Sequence, residues 1–294
     1  MARDMAAEIS GLRIERRLWQ RKPDLLTMLA LLCLASTVLI AILGPWIAPA
    51  DFNDQNLLAR LKPPLFADGT TTHLLGTDEL GRDVLSRLLY ALRISLGVGL
   101  LGTAIGAVFG SLLGVLAAHR GGLVEEALLL IIDFQAAIPF MLFALAALAL
   151  FGNSLLLFTI VLGLYGWETY ARLVRSMVLS AQGQIYVEAL RGLGFHPLRI
   201  YCLHVLPNIV GPLLVQTTMS LPGIILLESS LSFLGLGIQP PLASLGLMIG
   251  QSRLYMETAW WLTLVPGLAI FLTAWSTAIA GDWLRDRVGG KASF

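Results

Sequence analysis

The chain has 294 residues, 56% of them apolar and 13% charged, with a formal net charge of +1 and a mean hydropathy of +0.78. Soluble domains carry about 25% charged residues, so a water-soluble globular enzyme is excluded, and the near-neutral balance offers no basic footprint for nucleic acid. An all-α integral membrane protein fits instead, because a crossing helix needs roughly 20 mostly apolar residues for about 30 Å of hydrocarbon.

That length predicts six transmembrane helices: Leu25–Ile47, Ala91–Ala118, Ala127–Phe151, Leu155–Leu173, Ile209–Leu236 and Trp260–Ala280. Ahead of them, segment 1–24 interleaves Leu12, Ile14, Leu18 and Trp19 with Arg13, Arg16, Arg17 and Arg21. This is either a disordered basic tail or a short helix on an anionic leaflet. The first span, segment 25–48, carries Trp46 at its outer end as an interfacial anchor. Its basic leader and Ala48-Pro49-Ala50 imitate a cleavable signal peptide, but the apolar run exceeds the roughly 7–15 residues of a signal core.

Segment 49–90 is too polar for lipid and opens with turn residues (Asp51, Asn53, Asp54, Pro63-Pro64). Thr77 or Asp78 is expected to cap a surface helix running through Asp83 to Arg87. Segment 91–281 holds five spans. In the second span Gly102, Gly106, Gly110 and Gly114 recur every four residues, the spacing that lets membrane helices touch backbone to backbone, within this chain or with another. Pro139, Pro222 and Pro266 are expected to bend their helices.

Acidic residues inside apolar runs are costly unless paired or facing a cavity. Asp133 and Glu168, near inner ends, are expected to pair with arginines such as Arg172 or Arg175. Glu228, followed by Ser229, Ser230 and Ser232, either lines a translocation path or hydrogen-bonds across helices. Cys33 and Cys202 fall at different levels, so neither a disulfide nor a metal site is expected. His73, His119, His196 and His204 all lie in or beside connecting segments, where a solvated or interfacial imidazole is the default.

Between the fourth and fifth spans, segment 174–207 contains a polar stretch punctuated by glycine and proline. Ile185 to Leu193 can form a short helix with Val187, Leu190 and Leu193 on its apolar face and Glu188 exposed. Gly194 can end it in a left-handed cap and Pro197 blocks its continuation. Arginines and lysines set orientation. Arg3, Arg13, Arg16, Arg17, Arg21, Lys22, Arg120, Arg172, Arg175, Arg191, Arg199, Arg285, Arg287 and Lys291 fall on one side, against Arg60, Lys62, Arg82, Arg87 and Arg253 on the other. This excess places both termini in the cytoplasm, with 282–294 as a cytoplasmic tail.

Four stretches carry a resemblance. Glu188-Ala189-Leu190, Gly194 and Leu206-Pro207 resemble the EAA loop of bacterial ATP-binding-cassette (ABC) importer permeases, with Leu190 where that pattern prefers Ala and His204 where it prefers Ile. Gly76-Thr77-Asp78, Gly81-Arg82-Asp83, Ser86 and Arg87 match the G-T-D-x-x-G-R-D-x-x-S-R segment of the dipeptide, oligopeptide and nickel permeases, specifically their C type. Ser232 to Pro241 and Gly281 to Asp286 match two further segments of that family.

The resemblance implies a type I ABC importer permease fold in the inner membrane, whose EAA loop seats on a separate ATPase. It implies as partners a homologous second permease, one or two ABC ATPase subunits and an extracytoplasmic substrate-binding protein, with lipid around them. No cofactor is implied for this chain, since ATP and Mg belong to the ATPase subunits. Peptides are the first cargo expected; nickel chelates and glutathione share the architecture. The sequence has no phosphate-binding G-x-x-x-x-G-K-[ST] loop, so ATP hydrolysis is not expected of it. A secondary transporter would more often show inverted repeats, and none is evident.

Overall fold

The computed structural model describes residues 24–68 and 73–289. The basic leader ahead of Asp24, and Gly290 and Lys291, lie outside them. Among the described residues the fold is helical, with a single isolated bridge between Thr77 and Asp83.

Helix α1 (Leu25–Ile47) starts at Asp24, which accepts the Thr27 backbone N–H at 3.0 Å and the Thr27 hydroxyl. These hydrogen bonds, the hydroxyl's first, hold the Asp24 carboxyl below the ordinary carboxylate range. Because that value is depressed, the cap is present above about pH 4 and is lost as pH falls through the lower value.

Helix α2 (Val84–Arg120) has 37 residues and ends at Gly121, whose φ is +60°. At 1.5 Å per residue it is about 55 Å long, well beyond the hydrocarbon thickness. The sequence divides this stretch into a surface helix and a separate span. The structure makes it one helix, capped by Asp83 rather than Thr77 or Asp78, because no breaker stands between Val84 and Gly121. Asp83 accepts the Ser86 N–H and hydroxyl, each at 2.8 Å.

The predicted third span is broken. α3 (Gly122–Ala137) and α4 (Phe140–Phe151) meet at 91°. Ile138 is extended (φ −85°, ψ 127°), as the residue before a proline prefers, and this interrupts the helix ahead of Pro139. The fourth is two helices as well, α5 (Leu155–Gly163) and α6 (Trp167–Gln182), joined through Gly166 at φ +77°. α6 runs nine residues past the predicted end, so Glu168 occupies its first turn rather than an inner end. Pro222 and Pro266, by contrast, sit inside unbroken helices.

Helix α7 (Ile185–Gly192) follows. Helical structure then resumes at Pro197, widens into one π turn over Tyr201–Val205, and continues as α8 (Leu206–Phe233). Pro207 cannot donate the i→i−4 bond; the Leu206 N–H bonds instead to the Tyr201 carbonyl five residues back. α9 (Leu245–Ser252) and α10 (Trp261–Gly289) complete the chain. α1, α2, Leu203–Phe233 and α10 are each long and apolar enough to cross a membrane, and α3 with α4 makes a fifth crossing if the bent pair counts as one. The six-span count additionally requires α5 and α6 to form a crossing.

The glycine stripe of α2 is answered within the chain. A Cβ on Gly106 would lie 2.7 Å from the Gly163 carbonyl, one on Gly114 2.5 Å from that of Ala171, and one on Gly110 would collide with that of Trp167. These close approaches clamp α5 and α6 along α2. Around them Val98, Leu148, Phe158, Leu162 and Leu231 pack in one cluster, and Leu92, Leu96, Ile225, Leu245 and Trp261 in another.

Candidate coupling surface and outer clamp

Helix α7 packs with one side only. Val187 is buried beside Val178, Ile200 and Val205, with Leu190 and Phe195 at the edge of that cluster. Ile185, Glu188, Ala189, Leu193 and Gly194 are exposed. Leu193 therefore points outward, 75% exposed, instead of completing the packed face as the sequence suggests. It follows the last residue of the helix, where the chain turns. Gly194 has φ +79°, and the Phe195 N–H reaches back to the Leu190 carbonyl at 3.2 Å, the six-to-one bond of a Schellman cap. Leu206 and Pro207 are exposed too, at the mouth of α8.

A latch that the sequence does not reveal holds this region to the spans. The Tyr201 hydroxyl accepts from Gln182 Nε2 at 2.7 Å and lies 3.1 Å from His119 Nδ1. Gln182 also donates to the Ala118 carbonyl at 3.3 Å. The C-terminal ends of α2 and α6 and the helix leading to α8 thus share one hydrogen-bonded node. These partners are separated by 19 to 82 residues, so no local spacing announces them.

The Glu228 carboxyl is wholly buried. Ser232 Oγ donates to Oε1 at 2.8 Å and Ser229 Oγ to Oε2 at 3.3 Å. The hydroxyls of Ser95 of α2 and Ser244, the cap of α9, also face it, while accepting the Leu245 and Leu247 N–H groups at 3.2 Å each. Within this chain α2, α8 and α9 converge on this one acid. Ser229 and Ser232 are buried with it. Glu228→Gln keeps an acceptor oxygen and should leave the thermal midpoint of the detergent-purified protein nearly unchanged. Glu228→Leu strands several hydroxyls, at about 1–3 kcal/mol for each buried group left without a partner, and should lower that midpoint by many degrees.

Ahead of α2, Gly76, Thr77, Asp78, Gly81, Arg82 and Asp83 form a buried clamp, not a surface helix. Asp78 Oδ1 accepts the N–H groups of Leu80 and Arg82 at 2.9 Å each. Its Oδ2 accepts Arg82 Nε at 2.7 Å and Arg87 Nη1. Arg82 also reaches Glu79 at 3.1 Å, and Arg87 Nη2 reaches Gln251 of α9 at 2.8 Å. Thr77 Oγ1 donates to the Ala59 carbonyl and accepts the Lys62 N–H at 2.8 Å, while Trp261 Nε1 donates to the Thr77 carbonyl at 3.3 Å. His73 is half-buried 3.0 Å from Asp83, rather than solvated. Gly81, at φ +74°, lies so close to the Asn56 carbonyl that any Cβ would overlap it.

The expected ion pair at Asp133 is present, with Arg172 at 3.3 Å. Arg175 pairs instead with Glu125, Nε to Oε1 at 2.6 Å. Among the described residues no three His, Cys, Asp or Glu side chains cluster as a metal site.

Residues 110–291 match the family described as binding-protein-dependent transport system inner membrane component, and residues 16–64 match the N-terminal TM domain of oligopeptide transport permease C. The chain belongs to this transport-permease family. Within the permease family it is 39% identical over 262 residues to the di/tripeptide transport system permease protein DppC of Pseudomonas aeruginosa, covering 89% of this chain and 86% of that protein. It is 35% identical to the dipeptide permease DppC of Haemophilus influenzae, over 90% of each chain. It is 35% identical to the probable D,D-dipeptide permease DdpC of Escherichia coli, over 94% of this chain and 92% of that one. As a permease of this family the chain is a multi-pass inner membrane protein. The matched segment 110–291 contains α7, the latch and Glu228 with Ser229, Ser232 and Ser244; Ser95 and the clamp residues from Gly76 to Asp83 lie between the two matched segments.

Proposed function

We propose that this chain is the C-type permease subunit of a peptide importer, and that α7 with the Gly194 turn is the surface on which a separate ATPase seats. The observation that carries the reading is the pairing of two facts. Relatives 35–39% identical over 89–94% of the chain bear peptide-permease names. The segment resembling the family's coupling loop is a capped helix, half packed and half open, with Ile185, Glu188, Ala189 and Leu193 exposed on its open side. A capped helix that packs one face and leaves apolar and charged groups together on the other supports a docking role.

The latch through Tyr201, Gln182 and His119 gives the docked motor a rigid connection into α2, α6 and α8. ATP binding and hydrolysis in the partner subunits then alternate the bundle between outward-open and inward-open states, with a second permease completing the conduit and a binding protein delivering cargo. Both termini lie in the cytoplasm and the clamp faces outward.

Two experiments test this. Cells carrying the complete transporter should take up a labelled dipeptide, and deleting this chain should abolish that uptake; uptake persisting at full rate sinks the peptide assignment. In a Cys33→Ser, Cys202→Ser background, Leu58→Cys should react with an impermeant thiol reagent applied to the outer face, and Ile185→Cys should react only from inside. The opposite pattern inverts the orientation.

A further inference from the structure

Helix α6 packs one face and leaves the other open. Trp167, Tyr170, Ala171, Val174 and Val178 are buried, against Gly110 and Gly114 of α2. The opposite side exposes Thr169, Arg172, Ser176 and Ser180, whose spacings of three and four put them on one helix face. Arg172 is 49% exposed, and its partner Asp133 on α3 is 75% exposed. The neighbouring Arg175–Glu125 pair is more enclosed, at 29% and 20%.

Its apolar surroundings make this surface unusual. Asp133 lies eleven residues into α3, which together with α4 is apolar enough to cross a membrane, and its neighbours Leu130, Ile131 and Phe134 are exposed. The Ala171 carbonyl abuts Gly114 of α2, and that helix exposes Leu112 and Leu116, a surface suited to lipid. A charged pair open among such apolar groups is tolerated only against a polar partner or a water-filled cavity. Ser176 and Ser180 extend the polar surface along two further turns toward the C-terminal end of the helix, and Thr169 extends it one turn the other way.

We propose that the stripe Thr169–Arg172–Ser176–Ser180 lines a water-filled conduit, and that Asp133 and Arg172 form a subsite that exchanges their mutual contact for the charged ends of a zwitterionic peptide. The carboxylate receives the cargo's ammonium group and the guanidinium receives its carboxylate, a planar two-point match. An internal pair that is exposed is weakly held, so releasing it for cargo costs little. The more enclosed Glu125–Arg175 pair keeps α3 fastened to α6 meanwhile. The cargo half of this proposal rests on the peptide-permease reading above; the conduit half does not.

The test uses the assembled transporter in inverted membrane vesicles, with Cys33→Ser and Cys202→Ser. Single cysteines at Ser176, Ser180 and Leu112 are treated with a small cationic methanethiosulfonate reagent. Because reaction needs a hydrated thiolate, the two stripe positions should label at least about tenfold faster than position 112. Equal rates at all three overturn the conduit, since lipid or a partner subunit then covers the stripe. Asp133→Asn and Arg172→Gln should each raise KM for a zwitterionic dipeptide several-fold while ATP hydrolysis by the complex is retained, and the exchange Asp133→Arg with Arg172→Asp should recover part of the loss. An unchanged KM in both single variants overturns the subsite. A parent complex that carries no peptide at all sinks the peptide reading instead, and leaves the labelling contrast intact.

Discussion

Replacing Gly194 by tryptophan is expected to abolish uptake while the chain still inserts in the membrane at its normal level. The backbone at Gly194 is left-handed (φ +79°), where an L side chain costs roughly 1–2 kcal/mol. That strain acts on the cap that closes α7 through the Phe195 to Leu190 bond. Within the chain, however, a Cβ at this position meets nothing within 4 Å. A bulky side chain therefore clashes only with whatever docks there, and a single hot-spot clash of about 2 kcal/mol or more already weakens association more than tenfold.

A graded series separates the two effects. Gly194→Asn tolerates the left-handed turn and should retain most uptake. Gly194→Ala adds strain without bulk and should fall between. Gly194→Trp adds both and should lose uptake and the ATPase that otherwise co-purifies with the tagged permease. Glu188→Lys, a charge reversal on the exposed side of the same helix, should behave like the tryptophan variant. If Gly194→Trp and Glu188→Lys both transport normally and keep the ATPase bound, α7 is not the docking surface.

The spans were legible because their signal is bulk apolarity, which needs no partner to be read. Leu25–Ile47 has the same limits in sequence and structure. Breaks were harder, because a proline is compatible with either outcome. Pro222 sits inside α8 and Pro266 inside α10, whereas Ile138 ahead of Pro139 turns extended and opens a 91° bend. The difference lies in the neighbours that can satisfy freed carbonyls, which a linear pattern does not contain. At Gly166, likewise, nothing local distinguishes a glycine that interrupts from the packing glycines of α2.

The motif residues were recognisable as a string, but their surroundings were not. Asp78 and Arg82 four residues apart suggest a solvated helical pair, and the structure buries both in a loop. The clamp around them is closed by Gln251 on Arg87 and by Trp261 on Thr77, partners 164 and 184 residues apart. Glu228 illustrates the same limit from the other side. Ser229 and Ser232 are neighbours in sequence, and the polar strip they make was visible. Ser95 and Ser244, which bring two other elements to the strip, are far away in sequence. The outward turn of Leu193 follows from where α7 ends, and helix ends are the least certain feature of any periodicity.

The second large effect is expected at the clamp, where Asp78 is the shared counter-charge of two buried arginines. Asp78→Ala should lower the stability of the purified protein by about 3–5 kcal/mol, the usual consequence of removing one partner from a buried ion pair. The two arginines are not equally affected. Arg82 keeps Glu79 at 3.1 Å, on a side chain that is itself partly exposed. Arg87 keeps only the neutral Gln251 contact, and its Nε already lacks a partner. The uncompensated charge in Asp78→Ala is thus mainly that of Arg87, and removing it should rescue the fold: Asp78→Ala with Arg87→Met should recover a substantial part of the lost thermal midpoint, whereas Asp78→Ala with Arg82→Met should recover less. Asp78→Asn should fall between wild type and Asp78→Ala, because its amide oxygen can still accept the Leu80 and Arg82 N–H groups. Thermal unfolding of the four variants in detergent orders them directly. Equal rescue by both methionine changes would show that the clamp is held by its backbone hydrogen bonds and the Thr77 contacts, with the buried charges contributing little.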